Sequence, residues 1–239
     1  MPEQFTFLDA DKPHPLCQLA AEHLQDYLLN PVELKHNFGL NPGQEGTVIG
    51  KMFGVLVVRT LRNEIGYLAA FSGKLGGTNH HIKFVPPVFD SLTENNFLNS
   101  GMAELNKMNQ EICEEGKLKS EGYLDRISTL KTIRRKHSNG LQMELFNNYH
   151  FLNQNGETKS LNELFVKASY KNPPAGAGEC AGPKLLQYAF QHKMQPLAIA
   201  EFWWGQSPKS AQWKHKSFYP CCKEKCAPIL AHMLDGITN

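Results

Sequence analysis

The sequence predicts an α+β protein, with α/β open as the alternative: a mixed β-sheet packed with helices, plus a helical hairpin. Three observations lead there. Val- and Ala-rich apolar runs of strand length stand at 50–72 and again at PLAIAEFWW. Segments with apolar residues at helical spacing flank them. Between about 92 and 150 the composition shifts to long polar side chains, which divides the chain into 1–91, 92–150 and 151–239, with the middle segment inserted in or projecting from one body.

Taken in order, residues 13–29 place Leu16, Leu19, Ala20, Leu24, Tyr27 and Leu28 on one helical face, and Pro31 supplies the stop. GKMFGVLVVRT and IGYLAAFSG, joined by the polar LRNE, form a β-hairpin with largely buried strands. Gly73-Lys74-Leu75-Gly76-Gly77 breaks that pattern, and Pro86-Pro87 forces extended backbone. Met102, Leu105 and Ile112 lie on one helical face. Leu124, Ile127, Leu130 and Ile133 lie on another, continued by Leu141, Leu145, Phe146 and Tyr149, with Gly116 and Gly122 as punctuation. This is a helical hairpin without clean heptads, and its apolar face can pair with a second copy. Asn155-Gly156 marks a tight turn. Beyond the loop at Pro173-Pro174 come a helix from Pro183, the strand PLAIAEFWW, a strand-like KSFYP and a helix from Ala227.

Composition narrows the function classes. Of the 239 residues, 41% are hydrophobic and 20% charged, which excludes wholesale disorder. A net charge of +2 excludes a histone-like polycation and leaves room for local basic patches. The acids in MPEQFTFLDADKPHP argue against a secretory signal, and no apolar run is long enough to span a bilayer. The expectation is a cytoplasmic, bacterial-type protein with reduced thiols.

Six cysteines are too sparse for a disulfide scaffold, yet Cys180, Cys221, Cys222 and Cys226 crowd the C-terminal quarter. Cys180 precedes one predicted helix and the others precede the next. Cys180, Cys222 and Cys226 therefore make a candidate tetrahedral zinc site, with His215 as candidate fourth ligand. Small cysteines buried in tight turns are the competing account. The order also echoes the zinc deaminase pattern, C-x-E followed by P-C-x-x-C, but Gly182 stands where the proton-shuttling Glu belongs and Cys226 lies too far from Cys221. Cys180 with His215 equally imitates the order of a Cys–His thiol enzyme.

Two groups invite nucleic acid. Lys131, Arg134, Arg135, Lys136 and His137 form the densest basic run, although such a run on a helix is commonly a solvated face. Lys209, Lys214, His215 and Lys216 accompany Trp203, Trp204 and Trp213, a mixture suited to stacking bases and pairing phosphates. The glycines of 73–77 lack a phosphate-loop pattern.

PPAGAGECAGPKLLQYAF, PLAIAEFWWG and KHKSFYPCCKEKCAPILAHML, together with KMFGVLVV, GYLAAFSGKLGG and FVPPVFD upstream, resemble the region that precedes the catalytic domain in a subgroup of RluA-type RNA pseudouridine synthases. The resemblance spans about 45–235. It implies isomerisation of uridine to pseudouridine in rRNA or tRNA, with no required cofactor and one essential Asp in an H-R-L-D-type motif. None of Asp9, Asp11, Asp26, Asp90, Asp125 and Asp235 follows Arg-Leu, so no catalytic residue transfers. The resemblance implies an accessory, RNA-binding region whose partners are RNA and a synthase catalytic domain, with a structural zinc as the one cofactor the cysteines allow. The rivals are a degenerate deaminase-like or thiol enzyme centred on Cys180, and a purely structural interaction module.

Overall fold

Apolar strands and amphipathic helices sort onto the two faces of one sheet in the computed structural model, which describes residues 5–6, 12–30, 34, 36–43, 45, 48–94, 96–168, 172–209 and 213–237. The elements in chain order are α1 (Pro15–Leu29), β1 (Lys51–Arg59), β2 (Ile65–Phe71), α2 (Phe97–Leu118), α3 (Tyr123–Asn148), β3 (His150–Leu152), β4 (Thr158–Ser160), α4 (Leu161–Lys167), α5 (Ala181–Gln191), β5 (Gln195–Trp204), β6 (Phe218–Tyr219) and α6 (Ala227–Met233). The expected stop at Pro31 lies outside the described residues.

The main sheet runs β2-β1-β5-β6 and every neighbouring pair is antiparallel. Among the described residues, a bridge from Thr6 to Ala198 adds a parallel contact to β5. Antiparallel strands with helices on the faces make this an α+β fold, and the α/β alternative, which needs parallel strands, falls away. Side chains alternate across the sheet. Phe53, Val55, Val57, Ala198, Ala200, Phe202 and Trp204 point toward α1, where Cys17, Ala21, Leu24, Leu28 and the ring of Phe84 complete one core. The opposite face carries Gly54 and Glu201 and receives α5. Gly54 is what lets α5 come so close, because a Cβ there would stand 2.9 Å from the Ala181 Cβ and 3.0 Å from Leu185 Cδ1.

The chain divides into two compact units, Met1–Val88 with His150–Asn239, and Phe89–Tyr149. The first holds the sheet, the β3–β4 ribbon and four helices. The second is the α2–α3 hairpin. Asn96 caps α2 by accepting the Asn99 N–H at 2.9 Å, and Lys119 and Gly122, both left-handed, turn the chain into α3. Among the described residues of this hairpin's helices only Gly101, Leu105 and Phe146 are buried. Leu118 and Leu124 are exposed.

Two local points differ from expectation. The helix at Pro183 begins two residues earlier, at Ala181, so Pro183 occupies its third position. Helix α4 was not foreseen, although Ser160-Leu-Asn-Glu163 is a capping-box sequence. Ser160 Oγ accepts the Glu163 N–H at 3.3 Å while Glu163 Oε2 accepts the Ser160 N–H at 2.6 Å. The Ser160 hydroxyl, which donates to Glu163 Oε2 at 2.7 Å, and then the Ser160 N–H hold the Glu163 carboxyl below its ordinary value.

Candidate metal centre

Two loops of the larger unit and strand β5 converge on the α5 face of the sheet. The first is the segment before α5. Gly178 adopts φ +88°, a left-handed turn open to glycine, and delivers Cys180 to the N-cap of α5. The Gly73 N–H donates to the Glu179 carbonyl at 2.8 Å, tying the glycine-rich loop after β2 to this segment. Lys184, one turn into α5, is buried. Its Nζ donates to the carbonyls of Phe71 and Gly73 at 2.9 and 3.0 Å and lies 4.8 Å from the Phe71 ring centroid. Burial pushes the Lys184 ammonium down to about 8, against the opposing attraction of Glu179. Lysine here anchors the loop and the helix start by spending its donors on backbone carbonyls.

The second contribution is the turn before α6. Cys226 is the N-cap of α6, its N–H donates to the Cys222 carbonyl at 3.2 Å, and Pro228 stands in the first helical turn. His232 Nε2 meets the Phe151 carbonyl at 3.0 Å and pins α6 to β3.

These two helix starts bring the Sγ atoms of Cys180, Cys222 and Cys226 within 4.8 Å of one another, with Cys222 and Cys226 at 3.6 Å. Tetrahedral zinc with Zn–S bonds of about 2.3 Å sets its sulfurs roughly 3.8 Å apart. The thiols therefore need only a small closure to hold a metal ion. All six cysteines are free. Hydrogen bonds from the Cys180 and Cys226 thiols, and from the N–H groups of Lys225 and Cys226, hold the Cys222 thiol far below its usual value. Cys180, which hydrogen-bonds Cys222, is pushed up to about 12, and Cys226 is raised by both of its thiol neighbours. One thiolate shared by two thiols is the arrangement a divalent cation replaces by displacing the two protons.

The third contribution comes from the sheet. Glu201 is a buried carboxyl in the middle of the apolar strand β5. Its Oε1 accepts the Gly182 N–H at 2.8 Å, and its carboxyl also hydrogen-bonds the Cys221 thiol. Burial raises the Glu201 carboxyl to about 7, and these two hydrogen bonds oppose the rise only in part. Burial and the nearby negative groups raise the Cys221 thiol as well, so Cys221 serves the carboxyl and not the thiol cluster. Sequence reasoning missed Glu201. The available signal was a lone acid in an otherwise apolar strand, which costs stability unless its site uses it.

His215 is not brought to the thiols. Its ring packs on Trp204 with centroids 4.4 Å apart, and its Nδ1 accepts the Gly205 N–H at 2.9 Å. Trp204 belongs to the core on the α1 face, whereas Glu201 and the thiols lie on the other, so strand alternation separates His215 from the centre. The same placement removes His215 as a base for Cys180.

The basic residues fall into two places. Lys131, Arg135 and Lys136 are exposed and Arg134 half-buried on α3, and His137 pairs with Glu104 at 3.2 Å. No acid interrupts α3 between Asp125 and Glu144, while Glu111, Glu114 and Glu115 make the far end of α2 acidic. Lys214, His215 and Lys216 are exposed ahead of β6, with Lys216 Nζ 5.7 Å from the Trp204 ring centroid. Of the aromatic group, Trp204 is core. Trp203 and Trp213 stack at 5.5 Å, and Trp213 meets Tyr219 edge-on at 4.5 Å.

Compared with family models, with curated proteins and with solved structures, the chain matches none. Among the described residues no helix is long and apolar enough to cross a membrane.

Proposed function

We propose that this chain is an RNA-facing accessory region of an RluA-type pseudouridine synthase, built around a zinc ion held by Cys180, Cys222 and Cys226. The observation that carries the metal reading is the mutual approach of the three thiols to within 4.8 Å from two helix starts. Metal-ligating thiols must be deprotonated, and Cys222 is favoured as a thiolate by the Cys180 and Cys226 thiols first and by the N–H groups of the turn second. The RNA reading is supported by the sequence resemblance and by the exposed cations of α3 and of the 214–216 turn. Isomerisation of uridine belongs to a domain bearing the H-R-L-D-type motif, which these 239 residues lack. In this reading the chain adds phosphate contacts for that domain.

Two measurements test it. Elemental analysis of the purified chain is expected to find one zinc per chain, lost in Cys226→Ser; metal-free protein would remove the centre. Fluorescence anisotropy with structured RNA is expected to show binding that weakens steeply with salt, by roughly 0.7–0.9 in log–log slope per phosphate contacted. Reversing Lys131, Arg134, Arg135 and Lys136 to Glu should flatten that slope while leaving the zinc content unchanged. Absence of binding at low ionic strength would sink the RNA role.

A further inference from the structure

We propose that the thiol centre is hydrolytic, with Glu201 as its proton carrier, and that it acts on the exocyclic amine of a nucleobase seated against Trp213 and Tyr219. This rests on the zinc reading above and adds chemistry to it. Three protein ligands leave a fourth position of zinc for water, the arrangement of catalytic rather than structural sites.

The sequence objection to such chemistry is that Gly182 occupies the position where a zinc deaminase carries its Glu. The fold answers it from the neighbouring strand. Glu201 Oε1 accepts the N–H of Gly182 itself, and a Cβ on Gly182 would stand 3.4 Å from that oxygen and 3.6 Å from Cys221 Sγ. The carboxyl thus fills the space a side chain at 182 would enter. A carboxyl reaches the same place beside the first thiol, carried by β5 instead of α5. The fold alone does not call for it, because a neutral amide would satisfy the Gly182 N–H without a buried acid.

The platform for a base adjoins this carboxyl. In the β5–β6 register Glu201 lies directly across from Tyr219, so their side chains share one face, and Trp203 follows on the same face two residues on. Trp213 stacks on Trp203 and abuts Tyr219, and both Trp213 and Tyr219 are only half-buried. Tyr219 Oη accepts the Lys214 N–H at 2.7 Å, which places a basic residue at the edge of the aromatic group. Aromatic faces with a cation alongside suit a base presented on a single strand.

The step balances with water as the one co-reactant. Water at the open position gives a proton to Glu201. Its oxygen bonds to the ring carbon that bears the amine. Glu201 passes the proton to the amine nitrogen, the C–N bond breaks and ammonia leaves, and the second proton of the water moves from the new hydroxyl to the adjacent ring nitrogen, so that a carbonyl remains. Nothing is oxidised or reduced.

The test uses the zinc-loaded full chain with a single-stranded oligoribonucleotide containing cytosine and adenine, and with cytidine and adenosine in separate arms, reading ammonia release and base conversion by mass. Conversion in at least one arm is expected, and Glu201→Gln should retain full zinc while slowing it by about a hundredfold or more. The double variant Glu201→Ala with Gly182→Glu, which returns the carboxyl from the helix side, should recover activity over Glu201→Ala alone, a rescue that a packing role would not give. Quenching of tryptophan fluorescence by cytidine monophosphate should weaken at least about fivefold in Tyr219→Ala. Zinc-bound protein that converts neither base, a Glu201→Gln variant as fast as the parent, or a zinc-retaining double variant without recovery overturns the proposal and leaves the metal site standing. Wild-type protein without zinc overturns the metal reading itself.

Discussion

The thiol centre and the α2–α3 hairpin answer the same sequence signal, clustered polar chemistry, in opposite ways. In the centre, buried polar groups are withdrawn from water and satisfied one by one: Glu201 by Gly182 and Cys221, Lys184 by two carbonyls. In the hairpin the charges stay at the surface, and the pairs they form, such as Arg126 with Glu115 at 2.9 Å, are partly exposed. Exposed pairs of this kind contribute about 0–1 kcal/mol. The contrast teaches that density of charge in a sequence says little about a site. What marks the centre is that its polar residues interrupt apolar elements.

The largest expected effect separates the two regions outright. Removing zinc from the folded chain with a chelator should cost about 4 kcal/mol at a free zinc level a thousandfold above Kd, a drop in Tm on the order of 10 °C for a chain of this size. Hydrogen exchange should report the loss in α5, α6 and their turns, with the amides of α2 and α3 unchanged. Equal loss of protection in both units would break the comparison, because the two would then be one cooperative structure.

The next effect sharpens the link between sheet and centre. Gly54→Val places a branched side chain where a Cβ alone would stand 2.9 Å from the Ala181 Cβ, an atom fixed to the helix backbone. Overpacking of this kind costs about 1–3 kcal/mol. The relief available is for α5 to lift from β1, which carries Cys180 away from Cys222 and Cys226. Calorimetry should therefore show lower stability together with weakened zinc affinity. Lower stability with unchanged zinc affinity would mean that Cys180 is positioned by its loop rather than by the helix.

How much of this was legible in the sequence depends on the kind of signal. The strands β1, β2 and β5 announced themselves as short unbroken apolar runs, since β1 and β5 are buried on both faces, and helix α1 announced itself by apolar residues at helical spacing. The convergence of Cys180 with Cys222 and Cys226 could be anticipated from two helix starts, each with a thiol ahead of it. Face assignment could not. His215 is near the cysteines in sequence, but it packs on Trp204, and only the register of β5 shows that Trp204 and Glu201 point to opposite sides. Glu201 was hidden for the complementary reason: within PLAIAEFWW it is one polar residue in nine, and its partner Gly182 is an amide that no side-chain motif reports. Helix α4 is short, and its signal is the capping pair Ser160 and Glu163 rather than an apolar stripe.

The smallest effect lies in the hairpin and tests why its packing tolerates change. A Cβ on Gly101 would meet Leu141 Cδ2 at 2.2 Å, nominally a worse collision than the one at Gly54. The obstacle, however, is the far end of a side chain, and Leu141 is only half-buried, so it can swing toward water. Alanine also favours the helix interior over glycine by about 1 kcal/mol, since glycine loses more backbone freedom on folding. These opposing contributions predict a net change in hairpin stability within about 1 kcal/mol for Gly101→Ala, read by hydrogen exchange in α2 and α3, and no change in zinc affinity. A loss of several kcal/mol would show that Leu141 is locked in place. The hairpin would then be packed as tightly as the centre, and the distinction between a satisfied interior and a solvated one would have to be drawn elsewhere.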